Sequence, residues 1–341
     1  MKKHRFVLSV CIMLTIVFPI YAMGATKERP LTVYAYDSFS GDWGPGSEIV
    51  AAFEAKYSIP VEVISAGDGL EMLTRVIGEQ AHPYADLVVG ISDEMASRAY
   101  AADIFEPYHS SALGEIPSFL HFDDQERLLP FDYGNFAFIV DSEVIEESQW
   151  PHSLEDLTNP QFRKKVILID PRTSSVGLGL LLWTIGVYGE EGYLTWWEAM
   201  KDQTLTITDG WSSAYGLFTE GEAPLVLSYT TSPVYHYTYE DSTRFKALIF
   251  EEGHQATIEG VGILRSSKRK EEARLFVDFL LTEAQLPIAI ANSMYPANMK
   301  TALTKAFDYA PKPDLSLRIE SEVIEQNLDR WLDEWTEVMS R

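Results

Sequence analysis

The chain reads as an α/β protein of two lobes, each a mostly parallel sheet flanked by helices, with a ligand cleft between them. Three observations lead to this. Strand-like and helix-like segments alternate from Leu31 onward, the pattern of parallel sheets covered by helices on both faces. At 341 residues, two lobes are expected rather than one. No low-complexity or flexible stretch separates the α/β sets, so the chain must pass between lobes within ordered strands.

Taken in order, Leu31–Tyr36 is strand-like, and Ile49, Val50, Phe53 and Tyr57 recur at helical spacing over Gly46–Tyr57. Pro60–Ile64 is a short strand, Leu70, Leu73 and Ile77 mark a helix, and Asp86–Gly90 is a buried strand followed by a helix from Ser92 to about Ala101. A second set follows the strand Asn135–Val140. It comprises a helix near Leu154–Leu157, the strand Lys165–Ile169, helices at Leu178–Tyr188 and Tyr193–Met200, the strand Leu205–Thr208, a helix after Trp211 and the strand Pro224–Tyr229. Ile258–Leu264 reads as a strand and Glu271–Leu281 as an amphipathic helix. Ser321–Arg341 is helical, with Trp331 and Trp335 on one face as packing residues. Pro130–Val140 and Leu225–Ser232 are the two candidate crossings between lobes. The expected division is residues 25–130 with 236–300 in the N-lobe and 131–235 with 301–341 in the C-lobe.

The start of the chain places it outside the cytoplasm. Lys2, Lys3 and Arg5 precede the apolar run Phe6–Tyr21, and Ala22-Met-Gly24 supplies small residues at cleavage spacing, so residues 1–24 read as a signal peptide. Cys11, the one cysteine, lies inside that segment. The exported chain therefore has no disulfide, thiolate metal site or cysteine nucleophile. The formal net charge of −24 argues against nucleic acid and anionic lipid as partners and weakly favours cationic ligands.

Chemistry concentrates at strand ends. Tyr34-Ala-Tyr-Asp-Ser-Phe-Ser-Gly-Asp-Trp-Gly-Pro-Gly46 crowds Tyr36, Phe39 and Trp43 beside Asp37 and Asp42 in a strand-to-helix turn. Ring faces and carboxylates both attract cations, so a site for a flat cation fits there, as does a structural turn with a buried Trp. Asp68 follows a strand in a Gly-Asp-Gly turn, where a carboxylate serves equally as a ligand contact or a turn residue. Thr173-Ser-Ser-Val-Gly-Leu-Gly179 precedes an apolar helix; free N–H groups there suit a phosphate, and a serine there also suits a plain N-cap. Arg172 adds charge to that end or pairs with a neighbouring acid.

The sequence resembles the periplasmic thiamine-binding proteins of bacterial thiamine ABC importers, within the extracellular solute-binding protein family. The matching blocks are Leu31–Phe39 with Asp42–Gly46, Asp68-Gly69, Pro130-Phe-Asp-Tyr-Gly134 and Asp170–Ser175 with Gly177–Trp183. Gly210–Phe218, Leu225–Pro233, Met294-Tyr-Pro296 and the Trp331/Trp335 tail complete the set, in order over essentially the whole exported chain. The resemblance implies a two-lobe, type II periplasmic-binding-protein fold holding thiamine or its mono- or diphosphate in the interlobe cleft. By the same resemblance the ligand contacts are Asp68, Gly69, Ser174, Ser175, Trp211, Tyr229, Thr230, Thr231 and Ser232, with Tyr36 and Tyr235 as further aromatic walls. Thr230, Thr231 and Ser232 are expected to form a hydroxyl-rich cradle opposite Ser174 and Ser175. The pattern has a Trp directly before Met-Tyr-Pro, and this chain has Ser293 there, so a ring wall is expected to be missing.

The resemblance also implies a periplasmic, non-enzymatic monomer with no cofactor or metal, whose partners are thiamine and a membrane permease. Ferric iron and polyamines are the rival ligands. Adjacent tyrosine ligands are missing, since Tyr229 is followed by Thr230, although Tyr235-His-Tyr237 forms a short cluster. An enzyme of the thiaminase I kind needs a cysteine nucleophile that the exported chain lacks.

Overall fold

The computed structural model describes residues 29–340; the expected signal peptide and Cys11 lie outside them. In chain order the elements are β1 (Leu31–Ala35), α1 (Asp37–Ser40), α2 (Gly46–Tyr57), β2 (Val61–Ser65), α3 (Gly69–Gly78), β3 (Leu87–Ser92), α4 (Ala96–Ala101), β4 (Phe105–Glu106) and β5 (Leu129–Asp141). Then come β6 (Val166–Ile169), α5 (Ser175–Gln203), β7 (Thr204–Thr208), α6 (Trp211–Thr219), β8 (Leu225–Tyr229), α7 (Pro233–Glu240), β9 (Phe245–Ala247) and β10 (His254–Leu264). The chain closes with α8 (Lys270–Leu280), α9 (Gln285–Pro287), β11 (Tyr295–Pro296), β12 (Ser316–Leu317) and α10 (Ser321–Met339).

The strands follow the order β2-β1-β3-β10-β5-β8-β6-β7. β2, β1 and β3 are parallel to one another, as are β8, β6 and β7, and the antiparallel pair β10–β5 joins the two sets. β5 is the bridging strand. Its first half, Leu129–Asn135, pairs with β10; from Phe136 it turns to β8, with Phe136 opposite Tyr229. Pro130–Val140 thus lies in the strand that links the two sets. Leu225–Ser232 does not: Pro233 ends the extended run by opening α7, and β10 accompanies β5 up to the junction instead. There the imidazole Nδ1 of His254 lies 2.7 Å from the Phe136 carbonyl.

Both faces of the sheet are covered, which is why its strands are apolar runs rather than alternating ones. Every residue of β1 and β3 is buried. Ile49 and Phe53 of α2 pack with Phe276, Val277 and Leu280 of α8 on one face of the first strand set. Leu70, Leu73 and Val76 of α3 cover the other, in a core that runs on through Phe136, Phe138 and the apolar stretch of α5. Trp331 and Trp335 are buried in that same core, and Trp335 meets Trp197 edge-on at 5.7 Å, as the packing reading expects.

Three local readings change. Leu154–Leu157 is not a helix; Pro151, Asn159 and Pro160 limit it to short 3₁₀ turns that still bury Leu154 and Leu157 completely. The two helices at Leu178–Tyr188 and Tyr193–Met200 form one run, α5, broken only at Gly189, whose φ of 69° suits a glycine. The helix expected from Ser92 begins at Ala96, because β3 extends through Ser92 and the Asp93 N–H bonds the Ile258 carbonyl. Among the described residues no single helix is long and apolar enough to cross a membrane.

Packing against the bridging strand is close enough to test. A Cβ on Gly179 of α5 would fall 2.0 Å from the Phe136 ring. Gly179→Ala is therefore expected to destabilise the fold by about 1–3 kcal/mol through overpacking, read as a lower urea midpoint with an unchanged slope.

Candidate functional site

The carboxyl ends of five parallel strands converge on one cavity of ≈ 270 Å³, the place where open α/β sheets bind ligands. Tyr36 follows β1, Asp68 follows β2, Ser175 follows β6, Trp211 follows β7, and Tyr229 ends β8. The cavity is thus assembled from both strand sets.

Asp68 holds the junction together. It is the N-cap of α3, and its Oδ1 accepts from the Gly69 N–H at 2.5 Å. Its Oδ2 accepts from the Trp211 N–H, the first residue of α6, at 2.9 Å. The Ser174 hydroxyl lies beside the same carboxylate and favours its charged form, while the Ser174 Oγ caps α5 by accepting from the Val176 and Gly177 N–H groups at 3.1 and 3.5 Å. Three helix N-termini therefore meet on one carboxylate, whose negative charge suits their positive dipole ends. Burial pushes the Asp68 carboxyl up, and the N–H bonds and the Ser174 hydroxyl oppose that. The fit needs glycine on both sides: a Cβ on Gly69 would meet Ser175 at 2.9 Å, and one on Gly210 would meet Asp68 Oδ2 at 3.1 Å.

Rings form the walls. Trp211 stacks on Tyr215 (4.8 Å, 20°) and donates its indole N–H to the Ser228 hydroxyl at 2.8 Å. Tyr215 stacks in turn on His236 (5.8 Å, 25°). Trp43, from the turn before α2, meets Trp211 at 5.6 Å and Tyr235 at 6.4 Å, and it remains 41% exposed at the rim. Tyr229 packs on Phe136 at 5.1 Å, and its hydroxyl pKa is pushed well above the usual phenol value by burial and by nearby acids, Glu259 first among them.

The floor is acidic. The Tyr36 hydroxyl donates to Glu259 Oε2 at 2.7 Å; Asn292 Nδ2 donates to the Tyr36 oxygen at 2.8 Å and to Asp132 Oδ2 at 2.9 Å. Asp37, Asp68, Glu240 and Glu259 line the cavity, and no lysine or arginine does. His236, the other ionisable cation-former there, sits between Glu240 at 2.8 Å and the Tyr215 hydroxyl at 2.9 Å, and burial lowers its pKa.

Of the residues singled out in the sequence, Tyr36, Asp68, Ser175, Trp211, Tyr229, Ser232 and Tyr235 line this cavity together. Gly69, Ser174, Thr230 and Thr231 stand behind its wall. Gly69 provides the close approach of α3 to α5, and Ser174 is fully buried as a cap. Thr230 is buried with its Oγ1 unpartnered, and the Thr231 hydroxyl faces the Met294 sulfur at 3.9 Å. The Ser232 hydroxyl is already paired with that of Ser228 at 2.7 Å. Arg172 takes the local option and forks onto Asp170. Ser293 lines the cavity in the left-handed backbone region, φ 53°. The Tyr235-His-Tyr237 run is split: Tyr235 faces the cavity while Tyr237 stacks on Tyr309 at 4.3 Å. Among the described residues no group of three or more His, Asp or Glu side chains is arranged to hold a metal ion.

Sequence reading placed Trp43 and Asp37 in a turn suited to a flat cation, and both line the cavity; it left out Tyr215, Glu259 and Asn292 as site residues. Glu259 had a usable sign, an acid inside the apolar strand Ile258–Leu264, since a charged side chain in a buried strand needs a reason. Asn292 had none, because its neighbours in the site are remote in sequence.

Comparison with known proteins agrees with this geometry. The family model for bacterial extracellular solute-binding protein matches residues 82–324. A thiamine-binding periplasmic protein of Brucella melitensis is 38% identical over 94% of this chain and 95% of its own length. One from Escherichia coli is 37% identical over 91% and 94%. The solved structure of a periplasmic thiamin binding protein superposes with a TM-score of 0.87, at 36% identity over 93% of this chain and 98% of the other. The fold is that of the type II periplasmic binding proteins, as expected from the sequence. The chain belongs to the bacterial extracellular solute-binding protein family.

Proposed function

We propose that this chain is the solute-binding subunit of an ABC importer and that it captures thiamine in the periplasm, in the cavity between the two strand sets. One observation carries the reading: a cavity walled by Trp43, Trp211, Tyr229 and Tyr235, lined by four carboxylates and by no lysine or arginine. Thiamine joins a flat aminopyrimidine to a flat, permanently cationic thiazolium, so ring faces and anionic groups are the two things it needs. The names of the relatives point to the same ligand.

In this reading the rings hold the ligand by stacking, each contact contributing roughly 0.5–2 kcal/mol as the site dries. Asp68 fixes α3 and α6 so that Trp211 presents its face. Phosphorylated thiamine enters with its phosphate at the amino end of α5. Ser174 already occupies the Val176 and Gly177 N–H groups, so Ser175 is the donor left to meet it. The two strand sets act as lobes that close around the ligand about β5 and β10, and the closed form, as a single copy of the chain, docks on the membrane permease. The chain carries the ligand and performs no chemistry on it.

Trp211→Ala is expected to weaken thiamine binding at least tenfold by calorimetry, the loss of about one good stack; an unaltered constant would remove Trp211 from the site. Asp68→Asn leaves an amide N–H facing backbone N–H donors. It should lower the melting temperature and weaken thiamine together, whereas Arg172→Ala, which touches only Asp170 and the Trp335 face, should leave affinity within about twofold. Equal effects of the two variants on binding would break the link between the Asp68 contacts and the site.

A further inference from the structure

We propose that Glu259 is the group that selects a positively charged ring in this cavity, and that its carboxyl proton leaves when such a ring enters while Asp132 behind it keeps its own. The inference rests on the thiamine reading and names the residue that gives that reading its charge preference.

The geometry comes from the sheet. Glu259 of β10 and Asp132 of β5 are direct cross-strand partners, so their carboxyls stand on the same face, side by side. Glu259 is 6% exposed and lines the cavity; Asp132 is fully buried behind it. Asp132 Oδ2 accepts from Asn292, and Asp132 Oδ1 is buried with no hydrogen-bond partner. Two buried acids side by side on one sheet face disfavour each other's charge, so without a cation at least one of them holds its proton. The surroundings give no relief. Tyr36 and Asn292 are neutral donors. Asp68 and Glu94 add further acid, with Glu94 held by Thr257. Tyr229 is neutral, and the one nearby guanidinium, Arg318, is committed to Asp93. Desolvation and the acid neighbour hold Asp132 well above the carboxylate range, and desolvation first of all pushes Glu259 to about 7.

A thiazolium at the cavity floor supplies the missing positive charge. The Glu259 carboxylate then becomes the stable form and its proton goes to solvent, with no other change in bonding. The sign follows. In the empty protein Glu259 is protonated below about pH 7, and its contribution to stability is lost as pH rises through that value. Affinity for a cation therefore climbs with pH over the same window and levels off above it.

The test uses the exported protein, thiamine, and the uncharged isostere in which a thiophene replaces the thiazolium. Titrations at pH 5.5 and 8.0 compare wild type with Glu259→Gln, and buffers of different ionisation enthalpy count protons at pH 6.5. Wild type is expected to release a proton fraction on binding thiamine and none on binding the isostere. At pH 5.5, where glutamine imitates the protonated acid, the two proteins should bind thiamine within about threefold. At pH 8.0 wild type should be at least tenfold tighter, roughly one pKa unit of ligand-induced shift. A misfolded variant would be weak at both values, and Glu259→Asp should recover the proton release. If wild type binds thiamine without releasing a proton and the variant's deficit is the same at both pH values, the Glu259 proposal is overturned while the thiamine reading stands. If wild type binds no thiamine, the ligand reading itself fails, and this proposal with it.

Discussion

The arrangement depends on one half-buried carboxylate at the cavity wall. Asp68 caps α3, accepts from the first N–H of α6 and stands beside the hydroxyl of the residue that caps α5. Hydrogen bonds to a charged acceptor contribute about 1.5–3 kcal/mol each, roughly twice a neutral one. More consequential than the energy is the geometry. These three helices begin where β2, β6 and β7 end, so fixing their N-termini fixes the cavity's walls. Gly69 and Gly210 are small because any side chain there would push the clasp open.

From that clasp the rings and acids take their positions. Trp211 starts α6 and is held by its own N–H on Asp68 and by its indole N–H on Ser228. Tyr215, one helical turn on, backs it. The rings wall a space lined by four carboxyl groups and by no lysine or arginine, and the overall charge of −24 has the same sign. Such a surface draws cations toward the cleft over a Debye length and disfavours anions. The absence of lysine and arginine from the lining separates this site from one built to hold a bare phosphate.

Much of this was legible in the sequence. Helical spacing and continuous apolar runs marked the long strands and helices in order, because burial on both faces leaves such runs; the short strands β4, β9, β11 and β12 and the helices α1, α7 and α9 carried no such mark. The structure departs from the local pattern where turn chemistry and tertiary packing disagree. Leu154 and Leu157 are spaced like a helical face, yet the prolines around them allow only 3₁₀ turns. Thr230 and Thr231 sit in a hydroxyl-rich run that looks like a cradle, yet the turn after β8 carries both behind the wall and leaves only Ser232 on the cavity. Ser174 offered two readings, phosphate donor or cap. The structure uses its oxygen as the cap, accepting from the helix N–H groups two and three residues on, and buries the side chain completely.

By itself the sequence determined the α/β alternation, the acidic and, past its first residues, cysteine-free composition, and the strand-end turns that carry Tyr36 and Asp68. These follow from periodicity and turn chemistry, which act over a few residues; Ser175, Trp211, Tyr229 and Tyr235 were marked by the resemblance of their blocks to a family. Only the tertiary structure decided that Glu259 would face Asp132, that Asn292 would bridge Asp132 and Tyr36, and that Trp43 would reach Trp211. Those contacts join positions more than a hundred residues apart. Register between strands and the meeting of helix ends set them, and neither leaves a mark within any one segment of the chain.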